Sequence, residues 1–290
     1  MAQRRSVPPT ARGRLDLTGE VRHGAAGVGG GGGRIIQRDH EGGGVRSDTE
    51  NTWEQGQFAA SCPHPANSGS VDLLYAVRHG QSTANAAFAT NTPIESDDMS
   101  IALTDLGKRQ ATAVGRWFAA LDSDRLPDLV LCSPYLRAVQ TWQLAERELR
   151  AANRDLPCHH IDQRLYDRHR GEFNHLSPAV VRERFPEEPA KEARDPLGYR
   201  PPGGESFRDV ADRLRGVVTD LTADHRHRRV LIVAHDAIVL FLRQLVENLT
   251  DTAVLTLAEA GLAGNGSITS WQHAADGYHL LTYDQRTHLP

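Results

Sequence analysis

Lysine is almost absent from this chain: Lys108 and Lys191 stand against 31 arginines among 33 basic side chains. Arginine's planar fork suits bidentate phosphate binding, but genomic base composition produces the same bias, so it carries little weight. Cysteine is scarce too. Cys62, Cys132 and Cys158 are odd in number and lack metal-ligand spacing, which favours buried or free thiols in a reducing compartment. No long uncharged hydrophobic run exists. The longest apolar stretch, Val230 to Val246, is broken by His235, Asp236 and Arg243, whereas a membrane-spanning helix needs about 20 nearly uncharged residues. No apolar run follows the basic start Met1 to Arg5, so a cytoplasmic location is the expectation. Excess positive charge is also missing. The net charge of -4 speaks against a nucleic-acid binder working through bulk charge.

What is present divides the chain unevenly. Its 290 residues allow one or two domains, and 39% hydrophobic residues suffice for one sizeable core. Residues 1–70 hold 14 of the 26 glycines, with eight arginines, seven acidic residues and apolar residues in no period. Such a segment buries too little surface to offset its ordering entropy. It is expected to be a disordered tail, or the product of a start codon assigned too far upstream.

From Val71 onward the pattern is regular. Val71–Val77, Leu129–Cys132, Cys158–Ile161 and Val230–Ala234 read as buried strands. Helices are expected after Thr104, from Tyr135 to about Arg150, after Ser206, and through Ile238, Phe241, Leu242 and Leu245. Ser267–Trp271 and Tyr278–Tyr283 read as a closing hairpin around Asp276-Gly277. Residues 165–205, rich in Pro, Gly and charge, read as a long surface excursion. Alternating strands and helices predict an α/β fold of three layers, α/β/α, with a mostly parallel sheet. Sites in such sheets gather at the carboxyl ends of strands. His79, Ser133 and His235 all fall at such ends.

The first chemical cluster is Arg78-His79-Gly80-Gln81-Ser82-Thr83-Ala84-Asn85. A neutral imidazole is a good nucleophile toward phosphorus, and Arg78 places a cation beside it. Gly80 lets the backbone turn from strand to helix, and the helix N-terminus presents N–H groups to an anion. Gln81, Ser82 and Asn85 are the further expected substrate contacts. The chain contains its own control. Val21-Arg22-His23-Gly24 repeats the four letters without a strand before them, so His23 is not taken as catalytic. The second cluster, Ser133 to Thr141, carries Arg137 just past a strand end as a second phosphate clamp. The third is His235, directly after the five apolar strand residues Val230–Ala234. A histidine so placed is either a satisfied core residue or a site residue, and the placement shared with His79 points to a site.

These segments resemble the histidine phosphatase superfamily, which includes cofactor-dependent phosphoglycerate mutases and many phosphatases. The resemblance covers residues 71–290. It runs in order through Arg78-His79-Gly80 with Asn85, Leu103 to Gly107 with Gln110-Ala111, Ser133-Pro134 with Arg137-Ala138 and Gln140-Thr141, Pro202 to Ser206, and the strand ending in His235. It implies a phosphoglycerate mutase-like fold over 71–290. It also implies a pocket of Arg78, His79, Arg137 and His235, with phosphorylation of His79. The family needs an acid for the leaving oxygen, and Asp167 stands where the mutases usually carry glutamate. Phosphate beside a carboxyl group favours its protonated form. Glu172 and Glu205 are the reserve candidates. There are two departures. Asp236 stands where mutases usually have glycine, and Pro186 to Arg200 lacks their paired arginines, with Lys191, Arg194 and Arg200 scattered instead. Hydrolysis of a small phosphomonoester is therefore the expected activity, with a mutase-type phosphoryl transfer as the alternative. Protonated His235 is expected to help offset phosphoryl charge. Neither metal nor cofactor is expected, and neither nucleic acid nor membrane as partner. A homodimer stays open.

Overall fold

Alternation along the central strands explains how the chain layers itself. The computed structural model describes residues 71–290, apart from 91, 93, 95 and 224–227. The expected tail 1–70 and His23 lie outside the described residues. Strand β1 is Leu73–Arg78. Helix α1 (Thr83–Ala89) follows it, then α2 (Asp105–Ala119), β2 (Leu129–Cys132), α3 (Leu136–Ala151) and β3 (Cys158–Ile161). Two short helices, α4 (Pro178–Arg184) and α5 (Glu188–Arg194), precede α6 (Phe207–Ala223). Strand β4 (Arg229–Ala234), helices α7 (Asp236–Val246) and α8 (Asp251–Ala260), and strands β5 (Ile268–Ala274) and β6 (Gly277–Gln285) complete the order.

Among the described residues the strands form a six-stranded sheet ordered β3-β2-β4-β1-β5-β6. The pairs β1–β4, β2–β4 and β2–β3 are parallel, while β5 and β6 are an antiparallel hairpin on the β1 edge. Successive side chains on a strand face opposite ways. Leu73, Tyr75 and Val77 of β1, with Leu231 and Val233 of β4, pack under α2 and α3 against Val114, Phe118, Trp142 and Leu149. Leu74 and Ala76, with Val230, Ile232 and Ala234, face α6 and α7 through Val210, Leu214, Ile238 and Phe241. The expected three layers and mostly parallel sheet are present.

Residues 165–205 depart from the expected featureless excursion. They contain α4, which packs Val181 into a small apolar cluster with Phe173 and Tyr199, and α5, whose Glu188 accepts from Tyr199 Oη at 2.6 Å. Helices this short take stability from such tertiary contacts rather than from propensity. Cys132 is a buried free thiol. Cys158, half-buried on edge strand β3, is disulfide-bonded, against the expectation of free thiols. No helix among the described residues is long and apolar enough to cross a membrane.

Candidate active site

The parallel register brings three strand ends together. Arg78 ends β1 opposite Ala234, and Cys132 pairs with Val233. His79 and His235 therefore leave neighbouring strands side by side, and Ser133 leaves the next. The two imidazoles meet edge to face with centroids 5.1 Å apart.

The turn after His79 is fixed by close backbone approach. A Cβ on Gly107 would lie 2.0 Å from the Gln81 carbonyl oxygen, and one on Gly80 would lie 2.3 Å from that of Gly107. Only glycine allows the first turn of α2 to press against this loop. Side chains from the quoted motifs brace it. Gly80 N–H donates to Thr141 Oγ1 (3.1 Å), Gln81 N–H to Gln110 Oε1 (2.8 Å) and Leu103 N–H to Gln140 Oε1 (2.8 Å).

His79 is almost fully buried. Its Nδ1 lies 2.7 Å from the Gly80 carbonyl. A carbonyl only accepts, so Nδ1 carries the proton and Nε2 keeps its lone pair. Burial holds the His79 pKa well below 6.5, and the Arg137, His235 and Arg78 charges push the same way against the Gly80 hydrogen bond. The imidazole is neutral, as a nucleophile must be.

His235 is fully buried, with Nε2 2.8 Å from Ser133 Oγ. The Asp167 carboxylate oxygen 3.3 Å from Nδ1 disfavours a bare lone pair there, which leaves Nε2 to accept the Ser133 hydroxyl proton. Nδ1 then carries the His235 proton. It lies 3.3 Å from Asp167 Oδ2, but out of hydrogen-bond alignment. Burial, followed by the Arg137, Arg78 and Arg213 charges, lowers its pKa well below 6.5, so the imidazole is neutral.

Both clamp guanidiniums are present and already engaged. Arg78 Nη1 donates to Ala263 O (2.7 Å), and Nη2 pairs with Asp236 Oδ2 (2.8 Å). Arg137 Nη1 donates to Asp98 O and Oδ1, and Nη2 pairs with Asp167 Oδ2 at 3.0 Å. Two buried donors beside His79, Arg78 Nε and His235 Nδ1, have no hydrogen-bond partner. Buried donors are rarely left so, and oxygens of a phosphoryl group at His79 would satisfy them.

The three acid candidates separate. Asp167 lies in the pocket, between Arg137 and His235. Glu205 instead accepts from Tyr166 Oη (2.5 Å), His169 N–H (3.0 Å) and Arg213 Nε (3.2 Å), as a brace of the Asp167 loop. Glu172 is exposed. The expected contacts beyond His79 are largely internal. Ser82 caps α1 and shares a capping box with Asn85, whose Oδ1 also accepts from Asn265 Nδ2. Gln81 Oε1 accepts from Thr104 Oγ1. Sequence reasoning passed over Ser133 and Asp98 as site residues. The strand-end position of Ser133 was the available signal, whereas Asp98 offered none.

The model of the histidine phosphatase superfamily (branch 1) matches residues 74–286. The chain belongs to the histidine phosphatase superfamily. A phosphohistidine mechanism is general to this superfamily, whose members are phosphatases and mutases. A 6-phosphofructo-2-kinase/fructose-2,6-bisphosphatase of Caenorhabditis elegans is 30% identical over 57% of this chain, but the match spans only 32% of that protein's length. A 2,3-bisphosphoglycerate-dependent phosphoglycerate mutase 2 of Gloeobacter violaceus is 33% identical, over 56% of this chain and 70% of its own. Among solved structures, a mycobacterial glucosyl-3-phosphoglycerate phosphatase superposes with TM-score 0.59 and 25% identity, covering 74% of this chain and 99% of that one. Superfamily membership accounts for the shared strand-end placement of His79 and His235.

Proposed function

We propose that this chain hydrolyses a small phosphomonoester through phosphorylation of His79. The observation that carries this reading is the His79 ring: neutral, its Nδ1–H tied to Gly80, the ring edge to face with His235 and acted on by the charges of Arg137 and Arg78. The Nε2 lone pair attacks phosphorus as the ester P–O bond breaks. Asp167 gives a proton to the departing oxygen. Phosphoryl oxygens take Arg137 Nη2 from Asp167, which frees that carboxyl group for proton transfer. Water then attacks phosphohistidine, giving its proton to Asp167 as the P–N bond breaks. Inorganic phosphate leaves and neutral His79 returns. Arg78 Nε, Arg137 and His235 Nδ1–H stabilise charge on the equatorial oxygens, which is the main catalytic contribution in such a reaction. With the protein supplying this positive charge, the reading calls on no metal or cofactor.

Similarity to the mutase supports a second reading, in which an acid-alcohol replaces water as acceptor. The missing arginine pair between Pro186 and Arg200 favours water. His79→Ala is expected to abolish turnover of an aryl phosphate while the circular dichroism spectrum stays unchanged. Turnover surviving in a folded His79→Ala protein would refute the assignment. A panel of phosphomonoesters, scored for released phosphate beside a mutase-coupled assay, separates the two readings.

A further inference from the structure

Asp236 is the departure that the sequence shows directly after the second histidine, and the structure places it on a phosphate clamp. Its Oδ2 lies 2.8 Å from Arg78 Nη2. Its Oδ1 accepts from Ala237 N–H at 2.7 Å, so the first turn of α7 holds the carboxylate in place. Ala263 O takes Arg78 Nη1. Of the Arg78 nitrogens, Nε alone is a buried donor without a partner.

We propose that Asp236 weakens the pocket's hold on phosphate, occupying one arm of Arg78 and cancelling its charge so that the product leaves readily. The idea rests on the phosphatase reading and deepens it. The carboxylates Asp236, Asp167 and Asp98 face the two guanidiniums of Arg78 and Arg137 while both histidines are neutral. An incoming phosphoryl group can exchange with Asp167, which sits on a loop. Asp236 is fixed on a helix beside His235 and stays. The phosphate dianion is then gripped by one charge fewer than the arginines alone would offer. Weak retention suits an enzyme whose phosphoryl group ends on water. Transfer to a second alcohol calls for the opposite.

The test is calorimetric binding of inorganic phosphate at fixed pH and ionic strength. Asp236→Asn keeps the shape and removes the charge, and is expected to bind phosphate about tenfold more tightly, the order for one charge a few ångströms away in a partly screened site. Asp236→Glu keeps the charge and is expected to bind no more tightly than the parent. Asp236→Gly serves as the charge-free variant should Asn fail to fold. Unchanged or weaker binding in the charge-free variant, equal tightening in the Glu variant, or no phosphate binding by any form overturns the proposal. Binding does not require turnover. Failure of the phosphatase reading would instead appear as an intact phosphate titration in a parent protein that releases no phosphate from any ester.

Discussion

At the scale of single residues, the pocket works by fixing protons. Ser133 orients His235 by giving its hydroxyl proton to Nε2, leaving Nδ1–H for the substrate. Ser133→Ala is expected to lower kcat roughly tenfold, since one lost buried hydrogen-bond partner costs about 1–3 kcal/mol. Nitrogen chemical shifts of His235 would report a mixed tautomer, and an unchanged kcat would refute the orienting role. Asp167→Asn is expected to slow alkyl phosphates far more than aryl phosphates, because a good leaving group needs less protonation. Equal slowing of both would move the acid role elsewhere. His79, Arg78, Arg137 and His235 were legible because each ends or follows a strand or opens a helix with chemistry its neighbours do not explain. Ser133 was seen at a strand end but not as a partner of His235, because β4 lies beside β2 only after folding. Asp98 reaches Arg137 from a short turn with no periodic signal.

At the scale of elements, the loop after β1 and the start of α2 form one unit. Gly107→Ala would force a Cβ to 2.0 Å from the Gln81 carbonyl oxygen, and backbone cannot swing aside as a side chain can. Overpacking of this kind is expected to cost roughly 3 kcal/mol. A thermal melt of the variant at neutral pH measures it, and a shift below about 2 °C would show that the contact relaxes freely. The strands of the parallel sheet and helices α2, α3, α6 and α7 were legible from period and caps, as with Thr104 accepting from Gly107 N–H. Helix α8 was missed although Thr250 caps it through Ala253 N–H, because its apolar residues are spread around the helix. Helices α4 and α5 are seven residues each; α4 depends on the cluster of Phe173, Val181 and Tyr199 and α5 is tied to it by Tyr199 Oη on Glu188, contacts that only folding assembles.

At the scale of the whole molecule, the superfamily match at 74–286 proposes residues 71–290 as the working unit. A chain beginning at residue 69 is expected to keep kcat/KM for an aryl phosphate within about twofold, and a large loss would give residues 1–68 a part in the site. The neutral histidines also tie the reaction's requirement to stability. In the unfolded chain each imidazole titrates near 6.5, whereas burial holds His79 and His235 well below that value in the fold. His288 shifts in the same direction through its own burial. Between folded and unfolded values the unfolded state binds more protons, so stability is complete above about pH 6.5 and falls as pH drops below it. The raised pKa of Asp236, caused by burial, acts with opposite sign from its ordinary value of 3.8 upward, one carboxyl group against three imidazoles. The melting temperature is therefore expected to drop between pH 7 and pH 5.5, before most carboxylates titrate. Replacing both histidines in His79→Asn/His235→Asn should flatten that part of the curve. A parent protein equally stable at both pH values, measured by circular dichroism melts in matched ionic strength, would mean that the pocket accepts the protons, and the neutral nucleophile would lose its physical basis.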